Sequence, residues 1–222
     1  MAKTSTKVLR SRNDEEKTAR REALLDAAQT AFVNKGYENT SMDDIASEAG
    51  FSRGLLYVYF KDKKDIFHAL RVRSVEALRD TMLKHVDRSA EGITRVRQVG
   101  EAFYNFYKNQ RSNFDCLSLN ISLNAQDTEL KRGVDHDTDS LNAEKQTMQI
   151  MLDALKAGVE DGSIDPAKVE NPLQTAMFLR GSLHGVILLQ DETGSAMLNT
   201  EISDKDALVD FTLTNMTNAI RP

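Results

Sequence analysis

Residues 40–63 constrain the fold of this chain more than any other stretch of its sequence. Ser41 and Asp44 form a capping-box-like helix start, because the hydroxyl can accept from a first-turn amide and the carboxylate lies near the positive helix end. Gly50 should end that helix, since glycine adopts the left-handed conformation without steric cost. Ser52 is a candidate N-cap for a second helix. The stretch therefore predicts two short helices joined by a tight turn, which is the layout of a helix-turn-helix.

The second of these helices carries two different sets of side chains. Leu56 and Phe60 are four residues apart and can share one buried face. Arg53, Leu55 and Tyr57 lie in the N-terminal half of the helix or off that face, where a recognition helix presents side chains to the major groove of DNA. The arrangement predicts a helix that packs with one side and reads DNA with the other. A helical hairpin with a merely solvated polar face is the alternative.

A wider pattern around these helices resembles the DNA-binding motif of TetR-type transcriptional regulators. The match runs from about Arg20 to Leu70, and it is specific because small, polar, aromatic and basic residues all fall in register. The residues that carry it are Thr40-Ser41, Ile45-Ala46, Ala49-Gly50, Ser52, Gly54, Tyr57, Tyr59-Phe60 and Lys63. The sequence departs from the family at Leu55, where a small or polar residue is common. That departure favours an apolar contact, for example with a thymine methyl group.

The resemblance and the helix geometry together predict a set of DNA-binding residues. The set is Thr40, Ser41, Ser52, Arg53, Gly54, Leu55, Tyr57, Tyr59, Lys61 and Lys63. Base contacts are expected from Arg53, Leu55 and Tyr57. Phosphate contacts are expected from Ser41, Tyr59, Lys61 and Lys63. Gly54 costs helix stability, roughly 1 kcal/mol against alanine, and a close approach to another backbone or to DNA would explain that cost.

The composition favours an entirely helical protein. The chain has 222 residues, of which 40% are hydrophobic, so it can form a substantial core. It contains only 3 prolines and 11 glycines, and it shows no alternating apolar pattern of any length. The net charge of −5 is unevenly distributed, with +3 on residues 1–73 and −8 on the remainder. A basic head on an acidic body fits DNA binding by the head alone.

Apolar spacing predicts the helices that lie outside the motif. A first helix is expected from residue 14 to 35, and a connecting helix from about residue 62 to 86. A long helix is expected from about residue 127 to 161, and two more at 171–190 and 203–220. The helix at 171–190 is apolar around most of its circumference, so it should be buried on more than one side.

For the whole chain, the resemblance implies an all-α transcriptional regulator of about nine helices. The expected domains are a flexible basic arm (1–15), a helix-turn-helix DNA-binding domain (16–62), a connecting helix (63–90) and a ligand-binding and dimerisation domain (91–222). The expected partners are a double-stranded DNA operator, a small-molecule effector and a second copy of the chain, bound through the last two long helices. The expected function is a homodimeric repressor that the effector releases from its operator, without a cofactor. A helical protein–protein adaptor without DNA function is the alternative.

Aromatic and methionine side chains in the second half of the chain are candidates for the effector site, because such residues line adaptable ligand cavities. At helical spacing they are more often simply core, so both interpretations stay open. Arg180 and His184 could bind a ligand carboxylate or phosphate, or instead satisfy core polar groups or lie at the dimer interface. The candidate pocket residues are Phe103, Phe106, Tyr107, Phe114, Met148, Met151, Phe178, Arg180 and His184.

Other classes of function find little support in the sequence. The single cysteine, Cys116, excludes an intramolecular disulfide, and no histidine stands in a recognisable catalytic motif with it. The run Asp135-His136-Asp137 lacks the spacing of metal ligands on a helix, so no metal site is expected. The sequence shows no phosphate-binding loop, no serine nucleophile elbow, no secretory signal and no apolar run suited to a bilayer. A cytoplasmic protein that is not an enzyme is therefore expected.

Overall fold

The computed structural model describes the backbone of residues 2–126, 138–190 and 204–222, and the side chains of residues 14–118, 141–190 and 204–222. Regular structure in these ranges is entirely helical, which confirms the predicted all-α class. The helices are α1 (Ala2–Lys35), α2 (Met42–Glu48), α3 (Arg53–Tyr59), α4 (Lys63–His85), α5 (Gly92–Asn109), α6 (Arg111–Gln126), α7 (Thr138–Glu160), α8 (Pro172–Leu189) and α9 (Lys205–Ile220). A short 3₁₀ turn at Pro166–Lys168 precedes α8.

Internal contacts divide the chain into two units. The first consists of Met1–Ser74 with Ser112–Asp135, and the second of Val75–Arg111 with His136–Pro222. The division falls within α4, and it groups most of α6 with the helix-turn-helix region. The functional division into arm, head, connecting helix and body stays a prediction.

The core of the first unit forms where α1, α2, α3 and the beginning of α4 pack together. Its aromatic part consists of Phe32, Tyr37 and Phe67, whose ring centroids lie 5.2 to 6.3 Å apart. Cys116 of α6 is buried against the same core, and this burial raises the pKa of its thiol. A buried thiol that stays protonated packs as a small apolar side chain and is a poor nucleophile.

Helix α1 begins at Ala2, well before the predicted start at residue 14. Residues 2–35 contain neither glycine nor proline, so the sequence offers no helix breaker before Gly36, whose φ of 77° ends the helix. The predicted arm (1–15) therefore coincides with the first part of α1. The interpretation of this segment relied on its low apolar content, which removes a reason to pack but does not prevent helix formation.

Proline and asparagine define the beginning of α8 as the sequence indicates. Pro172 occupies the first turn, where its missing amide hydrogen costs nothing, and the Asn171 side chain accepts from the Gln174 amide at 3.1 Å. Helix α9 begins at Lys205, two positions after the expected start, and its N-cap is Asp204, whose side chain accepts from the Ala207 amide at 2.9 Å.

Helix α5 is the centre of the second unit, where it packs against α7, α8 and α9. Its first residue makes the closest approach, because a Cβ added at Gly92 would lie 1.9 Å from the backbone nitrogen of Gly158 on α7. Any larger residue at Gly92 would force α5 and α7 apart, since a packed interior has no room to absorb the overlap. Helix α8 also packs against α7 and α9.

Some predictions concern residues that the structure does not describe. The expected first part of the long helix (127–137), with Asp135-His136-Asp137, lies outside the described residues, and so does the loop at 191–203. Within the described part of the chain, no group of three His, Cys, Asp or Glu side chains is arranged to hold a metal ion. In that same part, no helix has both the length and the apolarity that crossing a bilayer requires.

Candidate DNA-binding surface

The two short helices of the motif are fixed by their own caps. The Ser41 hydroxyl accepts from the Asp44 amide at 3.1 Å, and the Asp44 carboxylate accepts from the Ser41 amide at 2.9 Å, which confirms the predicted capping box. Gly50 has a φ of 68° and its amide donates to Ser47, while the Phe51 amide donates to Ala46, so α2 ends in a Schellman motif.

A second cap places α3 directly after this turn. The Ser52 side chain accepts from the Leu55 amide at 3.2 Å, as the sequence predicts. Leu56 and Phe60 are buried in the head core, at 0% and 2% exposure, so the orientation of α3 about its axis is set by this pair. The opposite face of α3 is exposed to solvent.

The exposed face of α3 consists of residues at helical spacings of one and four. They are Arg53, Gly54, Tyr57 and Val58. The side chains of Tyr57 and Val58 are 44% and 72% exposed, which is unusual for large apolar groups on a helix that also packs on a core. Within this face the structure brings together three of the predicted DNA-binding residues.

Arg53 is held in place by two neighbours on the same surface. Its Nη1 donates to Asp43 of α2 at 2.8 Å, and its guanidinium carbon lies 5.6 Å from the centre of the Tyr57 ring. The Tyr57 hydroxyl and then the Asp43 charge raise the pKa of Arg53, which is therefore always cationic. Both partners of the ion pair are exposed, so the pair is weak and can open when a stronger anion approaches.

Gly54 has no packing reason for being a glycine within the described protein. A Cβ built at this position would meet only the Ser52 hydroxyl oxygen, at 4.0 Å. The predicted close approach to another backbone is therefore not made inside the head. The predicted close approach of DNA to Gly54 stays a prediction, and this position lies on the exposed face of α3.

Thr40 and Lys63 hold the connection between α1 and α2. Thr40 is 2% exposed, and its hydroxyl donates to the carbonyl oxygens of Ala31 at 3.2 Å and Gly36 at 2.8 Å. The Lys63 ammonium donates to the Tyr37 carbonyl oxygen at 2.7 Å and lies 4.4 Å from the centre of the Tyr37 ring. These contacts give both residues a positioning role that the sequence did not indicate.

The other predicted contacts differ in how much of them reaches the surface. Ser41, Ser52 and Lys61 are exposed, although the hydroxyls of both serines already serve as helix caps. Leu55 and Tyr59 are half-buried, and Tyr59 packs against the head core. Only Lys61 of this group presents a side chain that is both exposed and positively charged.

Comparison with known proteins identifies this part of the chain. A family model described as "Bacterial regulatory proteins, tetR family" matches residues 24–70, which include α2, the turn and α3. This segment is a TetR-family DNA-binding domain. The family match thus coincides with the region in which the caps, the turn and the exposed face of α3 form a helix-turn-helix.

Curated relatives that match part of this chain are named as transcriptional regulators. The chain is 42% identical over 77 residues to the uncharacterised HTH-type transcriptional regulator YfiR of Bacillus subtilis, covering 35% of this chain and 36% of that one. It is 32% identical over 101 residues to the HTH-type transcriptional activator FasR of Mycolicibacterium smegmatis, covering 46% of each. The chain therefore spans less than half the length of these relatives.

Solved structures with a TetR-type fold align with about nine-tenths of the chain. FadR from Bacillus subtilis in complex with stearoyl-CoA is similar with a TM-score of 0.68 and 19% identity, covering 90% of this chain and 99% of that one. A tetR-family regulatory protein from Rhodococcus RHA1 gives a TM-score of 0.69 and 15% identity, covering 91% and 97%. At such identities the likeness concerns the fold alone.

Val58 lies on the exposed face of α3 but is not among the predicted DNA-binding residues. It is more exposed than Leu55, which the sequence favoured as the apolar contact. The helical spacing in the sequence already places Val58 on this face, because it lies four residues after Gly54 and five after Arg53. Leu55 lies nearer to the buried side of the helix. A valine on this face can contact a thymine methyl group.

The predicted effector residues lie in different environments. Phe103, Phe106, Met151 and His184 are buried in the second unit, whereas Tyr107 and Met148 are half-buried there. Phe178, which is 61% exposed, and Arg180 lie on the surface of α8. Phe114 is buried and belongs to the first unit. The set therefore does not form one continuous cluster within a single unit.

His184 is the polar member of this set that lies inside the second unit. Its ring centroid is 5.7 Å from that of Phe103 on α5. Burial and then the nearby charge of Arg180 lower the pKa of His184, so the ring is neutral at physiological pH. A neutral imidazole beside an aromatic ring is suited to hydrogen bonding and does not supply a charge for binding an anion.

Proposed function

We propose that this chain is a sequence-specific transcriptional regulator that binds its operator as a homodimer, represses, and is released by a small-molecule effector. The observation that carries the proposal is the exposed face of α3, which presents a cation, an aromatic ring and two small or apolar residues. Helix caps on both sides of the turn fix the position of α3. A helix in this position of a helix-turn-helix enters the major groove.

Base recognition is assigned to the side chains of the α3 face. Arg53 can exchange Asp43 for a guanine, because a guanidinium donates in pairs to the O6 and N7 acceptors of that base. Tyr57 offers a ring edge and a hydroxyl, and Val58 an apolar surface for a thymine methyl group. Gly54 lets the α3 backbone approach the floor of the groove, which accounts for a glycine that nothing inside the head requires.

Backbone recognition is assigned to the residues around the ends of the two helices. Lys61 is exposed directly before α4 and can neutralise a phosphate. Ser41, Ser52 and Tyr59 remain proposed phosphate contacts, with the serine hydroxyls shared between cap and phosphate. Thr40 and Lys63 act through the α1–α2 connection that they hold, and their effect on DNA binding is therefore indirect.

The homodimer is supported by the apolar surface of the last two long helices. Large side chains on α8 and α9 are between 40% and 65% exposed in the single chain: Leu173, Met177, Phe178, Leu188, Leu189 and Phe211. Large apolar side chains that are exposed along neighbouring helices favour an interaction surface. A second copy is the proposed partner, because a two-fold dimer places two recognition helices on two half-sites of a symmetric operator.

Release by an effector is supported by the fold of the second unit. FadR, which shares that fold, has been solved with stearoyl-CoA bound. We propose that this chain also binds a small molecule in its body, among the aromatic and methionine residues that include Phe103, Tyr107, Met148 and Met151. The effector then favours a dimer whose heads no longer match two half-sites, since a ligand shifts an equilibrium only by its different affinity for the two states.

The test is genome-wide footprinting with the purified full-length chain, followed by gel shifts on the protected DNA. We expect protection of two half-sites whose centres are about 34 Å apart, as one turn of B-DNA requires. A Tyr57→Ala variant that keeps its circular dichroism spectrum serves as the control and should protect these sites only at higher protein concentrations. A folded wild-type chain that protects no site would contradict the proposal and favour a protein-binding adaptor.

A further inference from the structure

A cleft on the surface of the second unit combines apolar walls with two arginines. It has a volume of about 220 Å³ and lies between the end of α4, the α4–α5 connection, α5 and α7. All of its lining residues belong to the second unit, and none of them is among the predicted effector residues.

The apolar part of the cleft is formed by α4 and α7. Leu83 and Val86 contribute from the C-terminal end of α4, and Leu83 is 45% exposed. Ile150 and Ala154 contribute from one face of α7, since they are four residues apart. Gly158 continues that face, and there α5 approaches α7 so closely that no side chain fits. The cleft therefore opens next to a tight helix crossing, and its floor is small and apolar.

Hydrogen bonds fix the connection between α4 and α5, which carries Arg88. The Asp87 side chain accepts from the Ser89 amide at 2.8 Å, and the Asp87 amide donates to the Gln98 side chain at 2.9 Å. The Arg95 Nε donates to the Ala90 carbonyl oxygen at 2.7 Å, which joins α5 to the same connection. The Arg95 side chain and the backbone on both sides of Arg88 are therefore held at the cleft before any ligand arrives.

The two arginines differ in how far their charge is already balanced. Arg95 lies near Asp87 and Asp161, whose pKa values are lowered chiefly by hydrogen bonds from neighbouring serines and in smaller part by Arg95. Together with Asp153, the one acidic residue in the lining, these carboxylates offset the charge of Arg95. Arg88 is exposed and supplies the less compensated charge. An exposed arginine next to an apolar surface suits a ligand with an anionic end and an apolar body.

We propose that this cleft binds a small amphipathic carboxylate, with the carboxylate at Arg88 and Arg95 and the apolar body against Leu83, Ile150 and Ala154. The volume equals that of about seven water molecules at ~30 Å³ each, which is enough for an aromatic ring or a short branched chain. Arginine pairs with carboxylates through two parallel hydrogen bonds, which fixes the orientation of such a ligand. Binding at this site does not depend on the proposed DNA binding.

The experiment uses phenylacetate as the probe and phenylacetamide, which has the same shape without the charge, as its matched control. Binding to the full-length chain is located by the methyl NMR signals of Leu83 and Ile150 and quantified by calorimetry. We expect a Kd of about 1 mM for phenylacetate, which a ligand of this size reaches in an open cleft. Phenylacetamide should bind about tenfold more weakly, because it loses the charged hydrogen bonds.

Two variants separate this cleft from the predicted pocket near His184. Arg88→Gln should weaken phenylacetate binding about tenfold, and Ala154→Leu, which fills the floor, should abolish the methyl shifts. Arg180→Gln removes an exposed arginine elsewhere in the second unit, and it should change neither the binding of phenylacetate nor the methyl shifts.

Several results would overturn the assignment. The first is that phenylacetate moves neither of the two methyl signals. The second is that phenylacetamide binds as tightly as phenylacetate. The third is that Arg180→Gln weakens phenylacetate binding as much as Arg88→Gln does. Because the measurement involves no DNA, a failure here leaves the proposed regulator untouched, and a failure of the footprinting leaves this site untouched.

Discussion

Helices α3 and α8 both leave large side chains in solvent, but the two exposed surfaces have different chemistry. The α3 face combines the cation of Arg53 with Tyr57 and Val58, on a helix of 7 residues. The α8 face is apolar, with Leu173, Met177 and Phe178 all more than half exposed. A mixed face tolerates water and suits a partner that comes and goes, whereas an apolar face of this size is stable only when it is covered.

The two surfaces also differ in what determines them. The position of α3 follows from Ser41, Gly50 and Ser52, which act through bonds to amides only a few residues away. The exposed side of α8 is set by which of its residues α5, α7 and α9 cover, and these contacts join residues of different helices that are not near neighbours in the chain. Substitutions test the difference between the two surfaces, from the strongest expected effect to the weakest.

The largest effect is expected for Phe178→Glu on α8. A charge in the middle of a covered apolar surface must be desolvated without a partner, so the dimer should weaken by about a hundredfold or more. Sedimentation velocity over a range of concentrations measures this change. Val33→Glu is the matched control, because Val33 is also a half-exposed apolar residue, at 51% against 61%, but lies on α1. If both variants stay dimeric, the α8 face is not the interface.

Replacement of Tyr57 by alanine tests the α3 face. We expect specific operator binding to weaken by about 1–3 kcal/mol, because one base-contacting side chain is lost. Thermal stability should change little, since the side chain is 44% exposed and Leu56 and Phe60 still anchor the helix. Fluorescence anisotropy with operator DNA and with a scrambled duplex separates a base contact, which affects only the operator, from a backbone contact, which affects both duplexes. An equal loss on both duplexes would show that Tyr57 contacts the DNA backbone and carries no sequence information.

Lys61 and Lys63 should behave differently although they are two positions apart. Lys61→Ala should reduce the salt dependence of operator binding by about one unit and leave stability unchanged, as expected for a single phosphate contact. Lys63→Ala should cost about 1–2 kcal/mol of unfolding free energy, because the Tyr37 carbonyl loses its donor and the Tyr37 ring loses its cation. Urea denaturation and binding at several salt concentrations measure both quantities. A change in salt slope with Lys63→Ala, without a change in stability, would restore it as a phosphate contact.

The smallest effect is expected for Gly54→Ala, and its sign should differ between stability and binding. Alanine should stabilise the head by up to about 1 kcal/mol, since it lowers the entropy cost of ordering α3 and meets no neighbour. Operator binding should weaken, because the added methyl group lies where the DNA approaches. Denaturation measures the stability of the variant, and fluorescence anisotropy measures its affinity for the operator. A variant that gains stability and keeps full affinity would show that the glycine serves no role in DNA contact.

The helix-turn-helix was predictable because its determinants are local. Caps at Ser41 and Ser52 and the left-handed Gly50 act within one turn of chain, so their spacing in the sequence is also their spacing in space. The burial of Leu56 and Phe60 likewise follows from a spacing of four residues. The match of the TetR-family model to residues 24–70 covers this same region.

Residue roles that depend on contacts across the fold were not visible in this way. Lys63 lies in a basic stretch typical of phosphate contacts, yet its ammonium is bound to the carbonyl of Tyr37, which is distant in the sequence. Phe114 was grouped with the body aromatics by composition, but α6 belongs with the head in the first unit. Composition identifies the kind of side chain and cannot specify which distant group it meets.

The sequence by itself determined the all-α class, the two capped helices and the orientation of α3, since each depends on periodicity or on hydrogen bonds between near neighbours. The tertiary structure decided that Thr40 is buried, that Val58 is exposed beside Tyr57, and that Arg88 and Arg95 meet the apolar face of α7 at one cleft. These facts depend on how helices that are far apart in the chain pack together. That packing is fixed by the shape and volume of many side chains at once, and a pattern along one segment does not contain it.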